Sequence, residues 1–387
     1  MRVGIIAPGY PPAYLGGGPI RTVYALSRAA SKRHEVLVLT SNRDLGQPTT
    51  LAVPHDEWAT DESVDVYYAT VGRGRAYWSA LQALRRRKPD VVYLNSYFSL
   101  TFSLVPRLLH RLKWWGAVPL IVAPRGELSP GALQFKARKK RIFLAVARLM
   151  KFDAATVWHA SSELEASEIR QAIPSAGLVL VRPNETDLPR EAGDPEPSVH
   201  PTPRFTFVSR IVPKKGLDVA LRALAAVVEP LDFDVYGSEE DPEYVAMCSA
   251  LARQLPEHIR VRFLGPIRPE AVRPTLGAYD AFVLPTHGEN FGHVIAEALS
   301  TSCPVLTSAA TPWTDVLDAG GGVVVAPSTT QAWTRALDAY ARRVRADSGA
   351  LRTAAGAAYE AWRAAQDGPT VFDLYRDHTT QRRNARR

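Results

Sequence analysis

The chain has 387 residues, 46% hydrophobic and 22% charged, which suits a globular protein of two or three domains. No stretch approaches the ~18 apolar residues of a membrane-spanning helix, and the opening run Met1-Arg2-Val3-Gly4-Ile5-Ile6-Ala7-Pro8 is too short for a signal peptide and reads as a buried strand. The net charge of +8 is uneven: residues 1–150 hold 22 Lys+Arg against 9 Asp+Glu, the remainder 25 against 30, so the basic first half suits an anionic partner such as a membrane surface, a phosphorylated substrate or nucleic acid.

Along the chain, short Val/Ile/Leu-rich runs alternate with longer amphipathic ones. The first half predicts strands over 3–8, 35–40, 64–71, 91–95, 119–123, 156–160 and 178–181. Helices are expected between them over 20–30, 76–87, 101–115, 131–150 and 162–172. Strands apolar on both faces and separated by helices indicate a parallel sheet covered on both sides. The segment 185–203 has five prolines and no apolar periodicity, the composition of a linker.

The alternation then restarts. Strands are expected over 205–209, 233–236, 261–264, 281–285, 304–308 and 323–325, with helices over 216–228, 242–255, 269–278 and 293–300. The stretch 332–376 reads as helical and 381–387 as a frayed tail. The expected fold class is α/β, with two Rossmann-like doubly wound domains over 1–185 and 204–367, a linker over 186–203, and a C-terminal helix and tail over 368–387. Such sheets bind ligands at strand carboxyl ends, which predicts a site in a cleft where the two domains face each other. Cys248 and Cys303 offer neither a disulfide framework nor a metal spacing, so a reducing cytoplasm is the expected compartment.

Three segments carry chemistry. In PTHGENFGHVIAEALSTSCPVLTS, residues 285–308, Glu289 ends a loop and Glu297 follows eight positions later in a helix, about 12 Å along the axis if all were helical. Asn290, Phe291, Gly292 and His293 lie at the helix start, where backbone N–H groups bind phosphate. Two carboxylates flanking an anion site match a ligand with hydroxyls at both ends and a diphosphate between. At 209–217, Arg210 and Lys215 leave a strand's carboxyl end, and a forked donor beside a point charge suits a diphosphate. In the first loop, Gly16, Gly17 and Gly18 let backbone approach a phosphate closely, and the absence of GxGxxG counts against a nicotinamide enzyme.

Together these segments resemble glycosyltransferase family 4, the retaining enzymes of the GT-B fold in bacterial glycosyltransferase group 1. The family's E-x7-E motif is matched by Glu289 and Glu297, its R-x4-K pair by Arg210 and Lys215, and its glycine loop by Gly16, Gly17 and Gly18. Thr311-Pro312-Trp313 and the stretch Pro124-Arg125-Gly126-Glu127-Leu128-Ser129-Pro130-Gly131 are similar to bacterial members. The chain departs from the pattern at Ser302, where the family usually has a glycine before the Cys-Pro-Val turn. The resemblance implies that Glu297 holds the ribose of a nucleoside-diphosphate sugar. Arg210, Lys215, Gly17, Phe291 and Gly292 would hold its diphosphate, Glu289 would contact the transferred sugar, and Gly265, Pro266 and Ile267 would lie by the base. It implies no metal, and Asp232-Phe233-Asp234 reads as strand rather than as a metal-binding DxD.

The acceptor side is less legible. Asn95, Tyr97, Arg125 and Glu127 follow strand ends of the first domain and are candidates for it. Two helices are basic, amphipathic and aromatic: 131–150, with Phe135, Lys136, Arg138, Lys139, Lys140 and Arg141, and 101–115, with Arg107, Arg111, Lys113, Trp114 and Trp115. Such helices can lie on an anionic bilayer, which suggests visits to the inner face of the plasma membrane to glycosylate a glycan or lipid-linked acceptor in cell-surface polysaccharide synthesis. The same apolar faces could instead pack on the sheet. An epimerase or phosphorylase of the same fold remains an alternative reading. A pI near 9.5 alone, without a recognisable motif, argues only weakly for nucleic-acid binding.

Overall fold

A computed structural model describes residues 1–72, 74–134, 137–149, 152–153, 155–197 and 199–384. Phe135, Lys136 and Met150 of the expected helix over 131–150, and 385–387 of the expected tail, lie outside the described residues. The chain divides into two compact units, Met1–Asp187 with Gly368–Arg387, and Leu188–Asp367.

The first unit is built on eight strands: β1 (Arg2–Ile6), β2 (Glu35–Ser41), β3 (Trp58–Asp61), β4 (Val64–Ala69), β5 (Val91–Leu94), β6 (Leu120–Val122), β7 (Thr156–Ala160) and β8 (Val179–Val181). Their order is β3-β4-β2-β1-β5-β6-β7-β8. Every pairing is parallel except β3 with β4, which is antiparallel. Successive residues point to opposite faces: Leu37 and Leu39 enter one core, Val36 and Val38 the other. That two-sided burial is why the seven parallel strands read as near-continuous apolar runs. Strand β3, Trp-Ala-Thr-Asp, is short and nowhere fully buried, so it left no such signal.

The helix expected over 101–115 is instead a π-helical turn, Leu100–Leu104, followed by an α-helix, Val105–Arg111. Pro106 has no N–H to donate and sits where a helix can begin afresh. Ser99 caps the turn by accepting from the Phe102 amide at 3.2 Å. The helices Pro130–Gln134 and Ala137–Leu149 stand where one was expected.

The second unit has six parallel strands, β9 (Arg204–Val208), β10 (Leu231–Tyr236), β11 (Ile259–Gly265), β12 (Ala281–Leu284), β13 (Val305–Ser308) and β14 (Gly322–Val325), in the order β11-β10-β9-β12-β13-β14. Chain progression reverses between β9 and β12 here, and between β1 and β5 in the first unit. Loops leaving two such strands diverge and open a crevice at their carboxyl ends. The free thiols of Cys248 and Cys303 are buried in this unit's core, and burial pushes them up to about 11 and about 12.

The linker segment is not loose. From Leu188 it lies on the second unit, where the Gly193 amide donates to Ser300 O at 2.9 Å and Ser302 Oγ donates to Gly193 O at 2.6 Å. Ser302, at the family's glycine position, holds φ +55°, and its hydroxyl bond offsets part of that strain. The expected helical stretch 332–376 is broken twice: Thr330–Ala365 kinks at Asp347, whose φ of −162° is not helical, and Val371–Asn384 follows after Gly368-Pro369. The latter helix belongs to the first unit rather than forming a separate tail. Val371 and Phe372 are fully buried in the core of Val3 and Tyr93, and Asp373 Oδ1 meets His34 Nε2 at 3.2 Å.

Candidate functional site

In the second unit, two loops leave the strands flanking the switch point. After β9 the chain makes a 3-10 turn, Pro213–Lys215, and enters the helix Leu217–Leu224 through Gly216 at φ +71°. After β12 the loop 285–292 leads into the helix His293–Leu299. Gly216 lets the loops touch: a Cβ there would stand 2.0 Å from the Pro285 carbonyl oxygen. The His287 amide donates to Lys214 O at 2.9 Å and Thr286 Oγ1 donates to the same oxygen at 3.1 Å, tying the loops together.

This junction brings Lys215 and Glu289 into an ion pair, Nζ to Oε1, with side chains 14% and 12% exposed. The Glu289 amide donates to Ala310 O at 2.9 Å, and Thr286 Oγ1 lies 3.3 Å from the same carboxylate oxygen. Thr286 is the hub of the loop; its sequence signal is its place two residues past the end of β12. Arg210 does not join the pair: its Nη1 donates to Glu240 Oε2 at 3.1 Å on an exposed surface.

Glu297 is buried on the helix His293–Leu299. The preceding residues, Glu289 to Gly292, are not helical, so an axial spacing from Glu289 does not apply. The chain turns at Gly292, φ +79°, where a Cβ would press on Ile295 and Trp313 and so glycine fits best. Trp313 Nε1 donates to Phe291 O, and its ring lies 5.6 Å from Phe291 and 4.7 Å from Trp362, so aromatic packing fixes the loop next to Asn290. At the β10 and β11 ends, the Gly237 amide donates to Gly265 O at 2.9 Å, and Pro266 and Ile267 follow. Asp234 lies within β10 and takes both Arg262 Nε and Nη2, at 2.7 and 2.6 Å, and the Tyr279 hydroxyl, at 2.5 Å. Among the described residues no group of three or more His, Cys, Asp or Glu is placed to hold a metal ion.

In the first unit the glycine loop lies between β1 and the helix Gly18–Ser31. Gly17, φ +63°, faces open space, whereas a Cβ at Gly16 would meet Ile20 at 2.9 Å. Asp44, unforeseen in the sequence, holds the loop through the amides of Tyr14 at 2.8 Å and Leu15 at 3.1 Å. Asn95, just past β5, donates from Nδ2 to Pro19 O at 3.4 Å and accepts Arg125 Nε at 2.9 Å. Arg125, at φ +55°, also donates to Asn184 Oδ1 and, at 2.5 Å, to the Tyr93 hydroxyl. Glu127 turns inward, accepting Ser96 Oγ at 2.8 Å and the amides of Tyr97 at 2.7 Å and Phe98 at 2.9 Å. Tyr97 is fully buried, with its hydroxyl on Asp153.

Two family models match, one in each unit: "Glycosyl transferase 4-like domain" over residues 17–185 and "Glycosyl transferases group 1" over 192–343. The chain belongs to glycosyltransferase family 4. This family 4 chain is 30% identical over 203 residues to D-inositol 3-phosphate glycosyltransferase of Rhodococcus erythropolis, a match taking in 48% of this chain and 43% of that protein. It is 33% identical over 190 residues to the enzyme of that name from Xylanimonas cellulosilytica, taking in 48% and 44%. The chain thus spans less than half the length of the curated relatives it matches. Its GT-B fold is shared with solved structures. Anabaena HepE in complex with UDP and glucose aligns with a TM-score of 0.68 at 17% identity, over 98% of this chain and 99% of that one. Sucrose-phosphate synthase from Thermosynechococcus elongatus aligns at 0.72, again 17% identical, over 100% of both.

Proposed function

We propose that the protein is a retaining glycosyltransferase that moves a sugar from a nucleoside-diphosphate sugar to a hydroxyl acceptor. The observation that carries this reading is the Lys215–Glu289 pair at the β9/β12 switch point, held by backbone contacts that leave both groups little freedom. Breaking an anomeric C–O bond leaves charge on the departing diphosphate. A fixed ammonium stabilises that charge without reorganising, so Lys215, with Arg210, supplies the cations a divalent metal would otherwise provide. Arg210 is half exposed and can exchange Glu240 for a ligand. Glu289 holds hydroxyls of the transferred sugar and Glu297 those of the ribose. Gly265, Pro266 and Ile267 line the base, while Asn290, Phe291 and Gly292, with Gly16, Gly17 and Gly18, approach the phosphates through backbone. Attack on the face from which the diphosphate departs gives retention.

The acceptor side is assigned to Asn95, Arg125 and Glu127. The acceptor is a glycan or lipid-linked oligosaccharide of cell-surface polysaccharide synthesis, reached by peripheral contact with an anionic membrane from the cytoplasmic side. Supporting that contact, Ile142 and Val146 are exposed on the helix Ala137–Leu149 beside exposed Arg138, Lys139 and Arg141, while Phe143 and Leu144 pack on the core. No described helix is long and apolar enough to cross a membrane.

The test is a thermal-shift panel of UDP-, GDP-, ADP- and dTDP-sugars. A ligand at 100 times its Kd stabilises the native state by about 2.7 kcal/mol. One nucleotide class should raise the melting temperature, and Lys215→Ala should abolish the shift. A panel without any shift would refute the reading. Conversion of the sugar nucleotide without an acceptor would favour the epimerase.

A further inference from the structure

Arg125 carries a charge that the first unit does not neutralise. Its guanidinium donates to three oxygens, those of Asn95, Asn184 and Tyr93, and all three are uncharged groups. Among the described residues no carboxylate is within ion-pair reach of it. The sequence has no acidic residue from 91 to 126. The carboxylates around it are committed elsewhere: Glu127 to Ser96 and two amides, Glu165 to the amides of Gly126 and Ser161 and the Ser161 hydroxyl, and Glu185, next to Asn184, to the Arg182 guanidinium. A half-buried arginine without a counter-ion is costly unless a ligand supplies one.

The side chain is nevertheless rigidly aimed. The Arg182 carbonyl can only accept, so His159 Nε2, 2.9 Å away, carries the proton, and Nδ1 is left to accept the Tyr93 hydroxyl at 2.8 Å. The Tyr93 oxygen then accepts Arg125 Nη2. Burial first, and then the Arg125 charge, lower the His159 pKa well below its usual value, which keeps this imidazole neutral and the chain of bonds in one sense. The φ of +55° at Arg125 is the kind of backbone strain that persists where function requires it. Asn95, at the β1/β5 switch point, ties the guanidinium to the end of the glycine loop through Pro19 O. Three of the five guanidinium N–H groups are used, and one remains on each of Nη1 and Nη2.

We propose that Arg125 is the oxyanion-binding residue of the first unit, receiving a substrate phosphoryl group, with Tyr93 and His159 as its positioning residues. The inference rests on the transferase reading, and the phosphoryl group belongs either to the donor diphosphate or to a phosphorylated acceptor.

Isothermal titration of the full chain tests it with two matched pairs, UDP against uridine and D-inositol 3-phosphate against inositol. In at least one pair the phosphorylated member should bind tenfold or more tighter than its partner. Arg125→Ala should remove that advantage. Arg125→Lys, which keeps the charge without the fork, should retain part of it. Tyr93→Phe should shrink it severalfold by weakening only the phosphorylated member, whereas loss of mere structural support would weaken both members alike. An effect confined to the UDP pair assigns the group to the donor, and one confined to the inositol pair assigns it to the acceptor. An advantage unchanged in folded Arg125→Ala, or in Arg125→Lys if the alanine variant does not fold, overturns the proposal, as does the absence of any phosphate advantage in the wild type. If nucleotide sugars bind and Arg125 variants change nothing, this inference fails while the transferase reading stands. If no nucleotide binds but inositol phosphate does so through Arg125, the transferase reading fails and Arg125 remains only as a phosphoryl-binding residue.

Discussion

Gly216→Ala separates the two reasons a glycine stands at the loop junction. The left-handed backbone, φ +71°, costs an L-residue about 1–2 kcal/mol. The added Cβ would also stand 2.0 Å from Pro285 O, where real Cβ atoms essentially never approach closer than 3.0 Å, so the loops must part by at least the difference of 1.0 Å. Forcing an atom into a packed contact adds about 1–3 kcal/mol. The sum, about 2–5 kcal/mol, lowers the second unit's melting temperature by roughly 4–20 °C at ~2–4 °C per kcal/mol. Gly265→Ala is the internal control: φ is +75° but nothing lies within 4 Å, so it bears only the backbone cost. Calorimetry should therefore show a clearly larger decrement for Gly216→Ala. Nucleotide-sugar affinity should fall with it, because Lys215 moves off Glu289. Equal decrements for the two variants would refute the assignment of a close approach at Gly216.

Glu289→Gln keeps the shape of the loop but removes the charge facing Lys215, so turnover should fall roughly 100–1,000-fold with circular dichroism unchanged, by analogy with loss of one preorganised group. Asp153→Ala leaves the Arg107 guanidinium, 2% exposed, without its carboxylate, and urea unfolding should show a loss of about 3–5 kcal/mol. The folded-state pKa of His159 is depressed, so below pH 6.5 the unfolded chain binds a proton that the native state refuses. Stability contributed by the neutral ring is present above that pH and lost as pH falls, by up to about 1.4 kcal/mol per pH unit, and His159→Gln should remove that slope from unfolding titrations. At Ser302, Ser302→Ala keeps φ +55° but loses the bond to Gly193 O, whereas Ser302→Gly loses the bond and relieves the strain, so in urea unfolding the alanine variant should be less stable than the glycine variant by about 1–2 kcal/mol.

Both sheets were legible because parallel strands buried on two faces leave runs such as Val36-Leu37-Val38-Leu39 that no surface segment imitates. Strand β3 was illegible for the converse reason: an edge strand with Ala59 and Asp61 half-covered has no apolar alternation. Pro106 and Pro369 were present in the sequence, but propensity alone does not say whether a proline begins a new helix or ends one, and both helical stretches were read through them. At the site, residue types and spacing sufficed to bring Lys215 and Glu289 forward, since each follows a strand end. Spacing could not show that Arg210 rests on Glu240, that Thr286 ties the loops, or that Glu127 bonds inward, because those depend on contacts across 30 or more positions of chain. The neutral histidine behind Arg125 had no sequence signal at all: His159 is one ring in an apolar strand.

The return of the helix Val371–Asn384 to the first unit makes the second unit a guest inserted into its host's chain. Asp187 and Gly368 are the two ends of the insertion, and Gly368 packs near Arg182, five residues before the first of them. The host can therefore be closed by joining 187 to 368 through a short spacer, whereas a host cut off at 187 would lose Val371 and Phe372 and open a socket beside Val3 and Tyr93. Exchange of the whole second unit by recombination needs two crossovers in this chain, and a single proteolytic nick between the units still leaves them covalently joined.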